Sequence, residues 1–139
     1  TVTAMAFRYT RRVQFAETDM AGIVHFAEFF RFMEEAEHAL WRAAGLTIAK
    51  AHEDVGWPRV SSRFDFKAPL HFEDEFDVYV TMGKVTRSTI TWECRVMRGE
   101  TLIGEGSSTT VHVDKKPGEA LKSKEIPTRI LDALRAAAG

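Results

Sequence analysis

The sequence contains a single cysteine, Cys94, among 139 residues. One thiol excludes an internal disulfide and any multi-cysteine metal cage. Neither sign of charge is in excess: 19 Lys and Arg stand against 20 Asp and Glu, mixed along the chain. The basic footprint of a nucleic-acid scaffold is therefore missing, which still leaves room for a small anion held by a few local cations. No apolar run approaches the roughly 18 residues that a membrane-spanning helix needs. The opening "TVTAMAFRYTRR" lacks the basic-then-apolar order of a secretory signal. These absences predict a cytoplasmic protein of one domain, spanning 1–139, with roughly two-thirds of its unfolded surface buried. The pattern shows no internal repeat and no linker.

What is present is periodicity, and its period changes along the chain. Over 7–15, Phe7, Tyr9, Val13 and Phe15 alternate with Arg8, Thr10, Arg12 and Gln14, which predicts a half-buried strand. Arg11 is the exception, a cation on the apolar side. From Phe26 to Ala44 the spacing becomes helical: Phe26, Phe29, Phe30, Met33, Ala36, Leu40, Trp41 and Ala44 share one face. Glu28, Arg31, Glu35, His38 and Arg42 share the other, and Gly45 follows as a good terminator. After Trp57-Pro58 the period returns to two. Val60, Ser62, Phe64 and Phe66 are placed on one face of a strand, followed by Phe76, Val78, Val80 and Met82, then Ile90, Trp92, Cys94 and Val96. A last strand is predicted over 102–113, then a polar loop "DKKPGEALKSKE", then a short helix with Pro127 in its first turn. One strand, one long helix, four strands and a terminal helix make an α+β chain. Its long helix must bury one face on a curved antiparallel sheet of about five strands.

Between the first strand and the helix lies "ETDMAG", 17–22. An aspartate at such a break is commonly a cap or a turn former. It can also be chemistry. A helix N-terminus offers unpaired N–H groups and partial positive charge to a developing oxyanion, and a nearby carboxylate can attack a carbonyl or activate water. From these residues alone both readings stand.

The wider segment "RVQFAETDMAGIVHFAEFFRFMEEAE" resembles the signature of the 4-hydroxybenzoyl-CoA thioesterase family, and within it the acyl-CoA thioesterase subgroup associated with the Tol-Pal system. "FKAPLHFEDEFDV" and "EIPTRI" are similar to its later markers. The resemblance implies a hotdog fold and hydrolysis of acyl-CoA to free acid and CoA, without metal or redox cofactor. It places Asp19 at the catalytic carboxylate, Gly22 at the glycine of the tight turn, and the N–H of Phe26 at the thioester carbonyl. His25 stands one position before the family's usual histidine and is a candidate to orient water or touch the acyl group. Glu17 replaces the first aspartate of the motif, Glu28 a common asparagine and Glu37 a common arginine; Glu34 matches a helix glutamate of structural role. "GKVTRST" occupies the turn that approaches the CoA phosphates, making Lys84, Arg87 and Ser88 candidates. Sites at a homodimer interface, with further assembly to a tetramer, are implied as well.

Glu37 is unusual on its own terms, since helical geometry puts it inside the apolar stripe, where a carboxylate needs a partner. A basic residue across a subunit interface and a place in the acyl pocket are both open to it. Other chemistries find less support. Glu35-x-x-His38 has one copy of a spacing that a di-iron bundle needs twice, and His52, His71 and His112 are scattered. No Gly-x-Ser-x-Gly elbow occurs, "GEGSSTT" lacks the lysine of a phosphate loop, and Cys94 reads as a buried, inert thiol. Within the same fold, a hydroxyacyl-CoA dehydratase or a non-catalytic acyl-CoA-binding protein remain the alternatives.

Overall fold

The alternating segments become strands, and the one with period 3.6 becomes the helix they bury. A computed structural model describes residues 6–49 and 53–139; His52 lies outside them. In chain order the elements are β1 (Phe7–Arg12), a 3-10 turn (Phe15–Glu17), α1 (Glu28–Ala43), β2 (Val55–Gly56), β3 (Arg59–Phe66), β4 (Glu75–Val85), β5 (Thr89–Arg98), β6 (Thr101–Val111), β7 (Val113–Asp114), β8 (Lys122–Ser123) and α2 (Thr128–Ala138). Five strands pair antiparallel in the order β1-β4-β5-β6-β3. Inward-facing Phe76, Val78, Val80, Ile90, Trp92, Cys94 and Val96 are buried beneath α1, whose Phe32, Ala36 and Leu40 are wholly inaccessible. This is the expected hotdog arrangement, and α2 closes one side of it.

Four details differ from the pattern, each for a physical reason. The first strand stops at Arg12, because Val13 turns to give its N–H to Asp74 O at 2.9 Å and the chain enters the 3-10 turn. Phe15 is consequently 75% exposed and meets Phe72 edge-on at 5.6 Å. The helix begins at Glu28, so Phe26 lies in its lead-in and is exposed, while Phe32 takes the central buried place. In β3 a bulge between Arg59 and Ser61 shifts the phase. Val60 is turned outward, and Arg59 points inward instead. Finally, β6 ends at Val111; Val113–Asp114 leaves the main sheet and joins β2 and β8 in a small second sheet that the sequence pattern did not announce.

The bulge also answers the question of Glu37. Its carboxylate is 1% exposed and accepts a 2.9 Å hydrogen bond from Arg59 Nη1 in the same chain. The same Nη1 lies 2.6 Å from Ser108 Oγ, which is 2.8 Å from Ser62 Oγ. Arg59 Nη2 lies 3.6 Å from Glu34. Glu37 Oε2 has no hydrogen-bond partner among the described residues. Burial therefore pushes the Glu37 carboxyl above its ordinary range, and Arg59 only partly opposes this. Cys94, facing the same interior, has its thiol pushed up to about 12 by burial and by Glu37. It is the inert thiol that its strand position suggested.

Further along β3, Phe64 lies across two glycines of β6. A Cβ on Gly104 would sit 2.4 Å from Phe64 Cε2 and 2.6 Å from Asp65 O; one on Gly106 would sit 2.3 Å from Arg63 O. The glycines form the bed for the ring. Phe64 then stacks on Phe29 at 4.9 Å and meets Phe66 edge-on at 5.0 Å.

Two outcomes follow. Gly104→Ala must displace both a ring and a carbonyl, so we expect a loss of about 2–3 kcal/mol in urea denaturation. Arg59→Met leaves a buried carboxylate uncompensated and should cost about 3 kcal/mol at pH 7. Glu37→Gln behaves differently. A carboxyl with a raised folded pKa favours folding below its unfolded pKa, near 4.3, and that contribution is lost as pH rises through the folded value. Relative to Glu37→Gln, the wild type should therefore lose stability as pH rises above the unfolded value, measurable as a falling difference in unfolding free energy.

Candidate active site

The chain between β1 and α1 folds into a closed loop. Thr18 and Val24 form an antiparallel bridge, the Asp19 N–H donates to Ile23 O at 3.0 Å, and the His25 N–H donates to Glu17 O at 2.9 Å. At the tip the Gly22 N–H returns to Asp19 O at 3.0 Å. Gly22 has φ +79°, a conformation that side chains resist. Among the described residues, nothing lies within 4 Å of where its Cβ would be. The turn's handedness, rather than crowding, demands the glycine.

Asp19 is not the cap of α1. Its Oδ1 accepts the Ala21 N–H at 2.8 Å, inside the loop, and the side chain stands exposed. Oδ2 has no partner among the described residues. The helix start is served by His25 instead: its Nδ1 accepts the Ala27 N–H at 3.3 Å, and its carbonyl accepts the Glu28 N–H at 2.9 Å. An accepting Nδ1 leaves the proton of a neutral ring on Nε2. The His25 ring lies 4.6 Å from that of Phe26. Between these satisfied donors the N–H of Phe26 has no acceptor among the described residues, so one loop carries a carboxylate oxygen and an N–H before a helix N-terminus that both lack such partners. That pair can activate water or attack a carbonyl, and receive the negative charge that results.

The loop is held by a residue the strand pattern set apart. Arg11 makes bidentate pairs with both Glu17 and Glu35, its side chain 10% exposed. Glu35 is thereby engaged with Arg11 and with the Tyr9 hydroxyl at 3.1 Å, not with His38. No group of three His, Cys, Asp or Glu among the described residues is arranged to hold a metal ion.

Asp19, Gly22, His25 and Phe26 thus lie on one closed loop, but Lys84, Arg87 and Ser88 are not with them. Lys84 stands in β4, and only Arg87 and Ser88 occupy the turn beyond it. Ser88 O accepts the His112 N–H at 2.7 Å, His112 stacks on Trp57 at 4.6 Å, and Trp57 meets Trp41 at 5.2 Å. Trp41 is in the last turn of α1, a helix of 16 residues and about 24 Å. The turn therefore lies at the far end of the helix from the Asp19 loop. Clefts of about 330, 450, 480 and 620 Å³ indent the surface, and none of these is lined by Asp19 or Phe26. The loop instead carries exposed apolar side chains of its own, Phe15, Met20 and Phe26, with exposed Phe72 against Phe15.

Known proteins share this architecture. Residues 13–134 match the family described as the thioesterase-like superfamily. A protein of Aquifex aeolicus (strain VF5), provisionally named an esterase, is 34% identical over 94% of this chain and 99% of its own. A 1,4-dihydroxy-2-naphthoyl-CoA hydrolase of Nostoc punctiforme is 27% identical over 94% of this chain and 87% of its own. The structure of a gentisyl-coenzyme A thioesterase superposes with a TM-score of 0.80 at 26% identity, covering 89% of this chain and 98% of that one. With its hotdog fold and a match over nearly its whole length, this chain belongs to the thioesterase-like superfamily.

Proposed function

We propose that the protein hydrolyses a CoA thioester, with Asp19 as the reacting carboxylate. The observation that carries this reading is the hydrogen-bonded loop 17–26, which carries on one short segment a carboxylate oxygen and the N–H of Phe26, neither with a partner among the described residues. The Phe26 N–H polarises the thioester carbonyl. Asp19 either takes a proton from water as it adds, or adds itself to give a mixed anhydride that water then opens. In both routes the tetrahedral centre collapses with loss of the CoA thiolate, which needs no strong acid to leave. His25 keeps Nε2–H available toward the incoming water or the acyl group, while its Nδ1 holds the helix start.

The finer affiliation is the 4-hydroxybenzoyl-CoA thioesterase family, and of the acyl classes we favour aryl over aliphatic. Two named relatives act on 1,4-dihydroxy-2-naphthoyl-CoA and gentisyl-CoA, and Phe29, Phe64 and Phe66 form an aromatic set beginning in the first turn of α1. An aliphatic preference would favour the Tol-Pal-associated subgroup instead. We propose further that the site is built by two copies. β3 is an edge strand with Val60 and Phe66 exposed. Antiparallel pairing of two such edges would bring the Arg87 end of one protomer toward the Asp19 end of the other. Lys84, Arg87 and Ser88 would then hold the CoA phosphates of the partner's substrate.

Thiol release from a panel of aliphatic and aromatic acyl-CoAs tests the chemistry; the native Cys94 is too buried to react with the reagent. Asp19→Asn should lose activity by about a hundredfold or more while keeping the wild-type melting temperature, because the side chain is exposed. Turnover at the wild-type rate would remove Asp19 from the mechanism. Formation of an enoyl product, or binding without thiol release, would point to a dehydratase or a binding protein. The shared site has its own test. Asp19→Asn and Lys84→Ala/Arg87→Ala subunits, mixed after denaturation, should recover up to about a quarter of wild-type activity if random two-fold pairing rebuilds one intact site per mixed dimer.

A further inference from the structure

Arg11 is the inward-facing cation of β1, and both terminal nitrogens of its guanidinium are engaged. Nη2 donates to Glu17 Oε1 and Oε2 at 2.9 and 2.7 Å, and Nη1 donates to Glu35 Oε1 and Oε2 at 3.0 and 3.1 Å. Its Cζ lies 4.7 Å from the centre of the Phe32 ring. Glu35 belongs to α1, and Glu17 to the base of the loop. Glu17 in turn accepts the Gln14 N–H at 2.8 Å through Oε1 and the His25 N–H at 2.9 Å through its backbone carbonyl. A single side chain therefore ties strand, loop and helix together at the point where the loop closes.

We propose that Arg11 is a positioning residue for the reaction: it fixes the Asp19 carboxylate relative to the Phe26 N–H by clamping Glu17 against α1. This rests on the reading of Asp19 as the reacting group. The physical need for it lies in the charge count. Glu17 and Glu35 have side chains only 13% and 39% exposed and converge on the same cation. Without Arg11 between them, two carboxylates would face each other across the loop–helix junction and repel. The His25 N–H to Glu17 O bond, which sets the direction in which the next N–H points, would then be strained. Displacement of a reacting group by about 1 Å is enough to cost a hundredfold in rate. Lysine cannot replace the clamp, because one ammonium has no second fork for the second carboxylate.

The test compares Arg11→Lys and Glu35→Gln with Arg12→Lys, the exposed neighbour on the outer face of β1 whose partners are Glu73 and Glu75. For the ester that the wild type turns over, Arg11→Lys should lower kcat about tenfold or more with KM changed less than about twofold, because binding groups stay in place while reacting groups shift. Glu35→Gln should fall between wild type and Arg11→Lys, and Arg12→Lys should match wild type. A lower melting temperature with unchanged kcat in both inner variants would overturn the proposal. Hydrogen exchange gives a second reading that needs no turnover. Amides of the 15–26 segment should exchange about tenfold or more faster in Arg11→Lys, while those of β5 keep the wild-type rate. Equal exchange in the loop, or equal acceleration everywhere, would reduce Arg11 to a general stabiliser. If the wild type is inert on every CoA ester, the function proposed above fails, and the exchange experiment still decides whether Arg11 holds the loop. Should Arg11→Lys not fold, Glu35→Gln carries both readings.

Discussion

Burial of one face of α1 on the inner side of the sheet is the contact on which everything else depends. Phe32, Ala36 and Leu40 lose all exposure there, and Phe29, Met33 and Trp41 nearly all. At roughly 1.5–3 kcal/mol for each large side chain, this packing is the largest identifiable gain from a single element. It also fixes a direction. Once the stripe is seated, the N-terminus of the helix emerges at one end of the sheet, and the preceding loop has only one place to go. A surface helix with the same sequence at its start would point its free N–H anywhere.

Two polar groups sit inside this apolar arrangement and use the strand geometry in different ways. Arg59 reaches the interior because a bulge advances β3 by one residue, and there it meets Glu37 and Ser108. Arg11 reaches it because a strand places alternate residues on the inner face, where it meets Glu35 from α1 and Glu17 from the loop. One pair fastens the middle of the helix to the edge strand; the other fastens its first half to the candidate site. The first leaves Glu37 Oε2 unpaired among the described residues, a cost that an apolar pair of the same shape would avoid. The second satisfies both of its carboxylates.

Much of this was legible in the order of residues. Strict alternation in β4 and β5 announced the buried sets, and helical spacing announced α1 to within two residues of each end. The aspartate, glycine and helix start announced the candidate site, and lone inward charges at 11 and 37 announced that partners had to exist. What alternation could not show was a change of phase within a strand. Val60 looks inward by its spacing from Ser62 and Phe64, and a bulge makes it an outward residue. Nor could spacing near an element's end distinguish Phe26, exposed in the lead-in, from Phe32, the fully buried residue six positions later.

The amino-acid sequence by itself determined the main element types, the antiparallel sense of the strands and the chemistry available to the loop, because these follow from near-neighbour periodicity and turn-forming residues. The strand order, with β3 beside β6 rather than β4, was not among them. Tertiary structure alone decided the pairings: Glu37 with Arg59, Arg11 with two carboxylates, Phe64 with the glycines of β6. It also decided that Asp19 and Arg87 stand at opposite ends of one protomer. Such relations join residues that are distant along the chain, and they are set by register, bulges and packing that no local window contains.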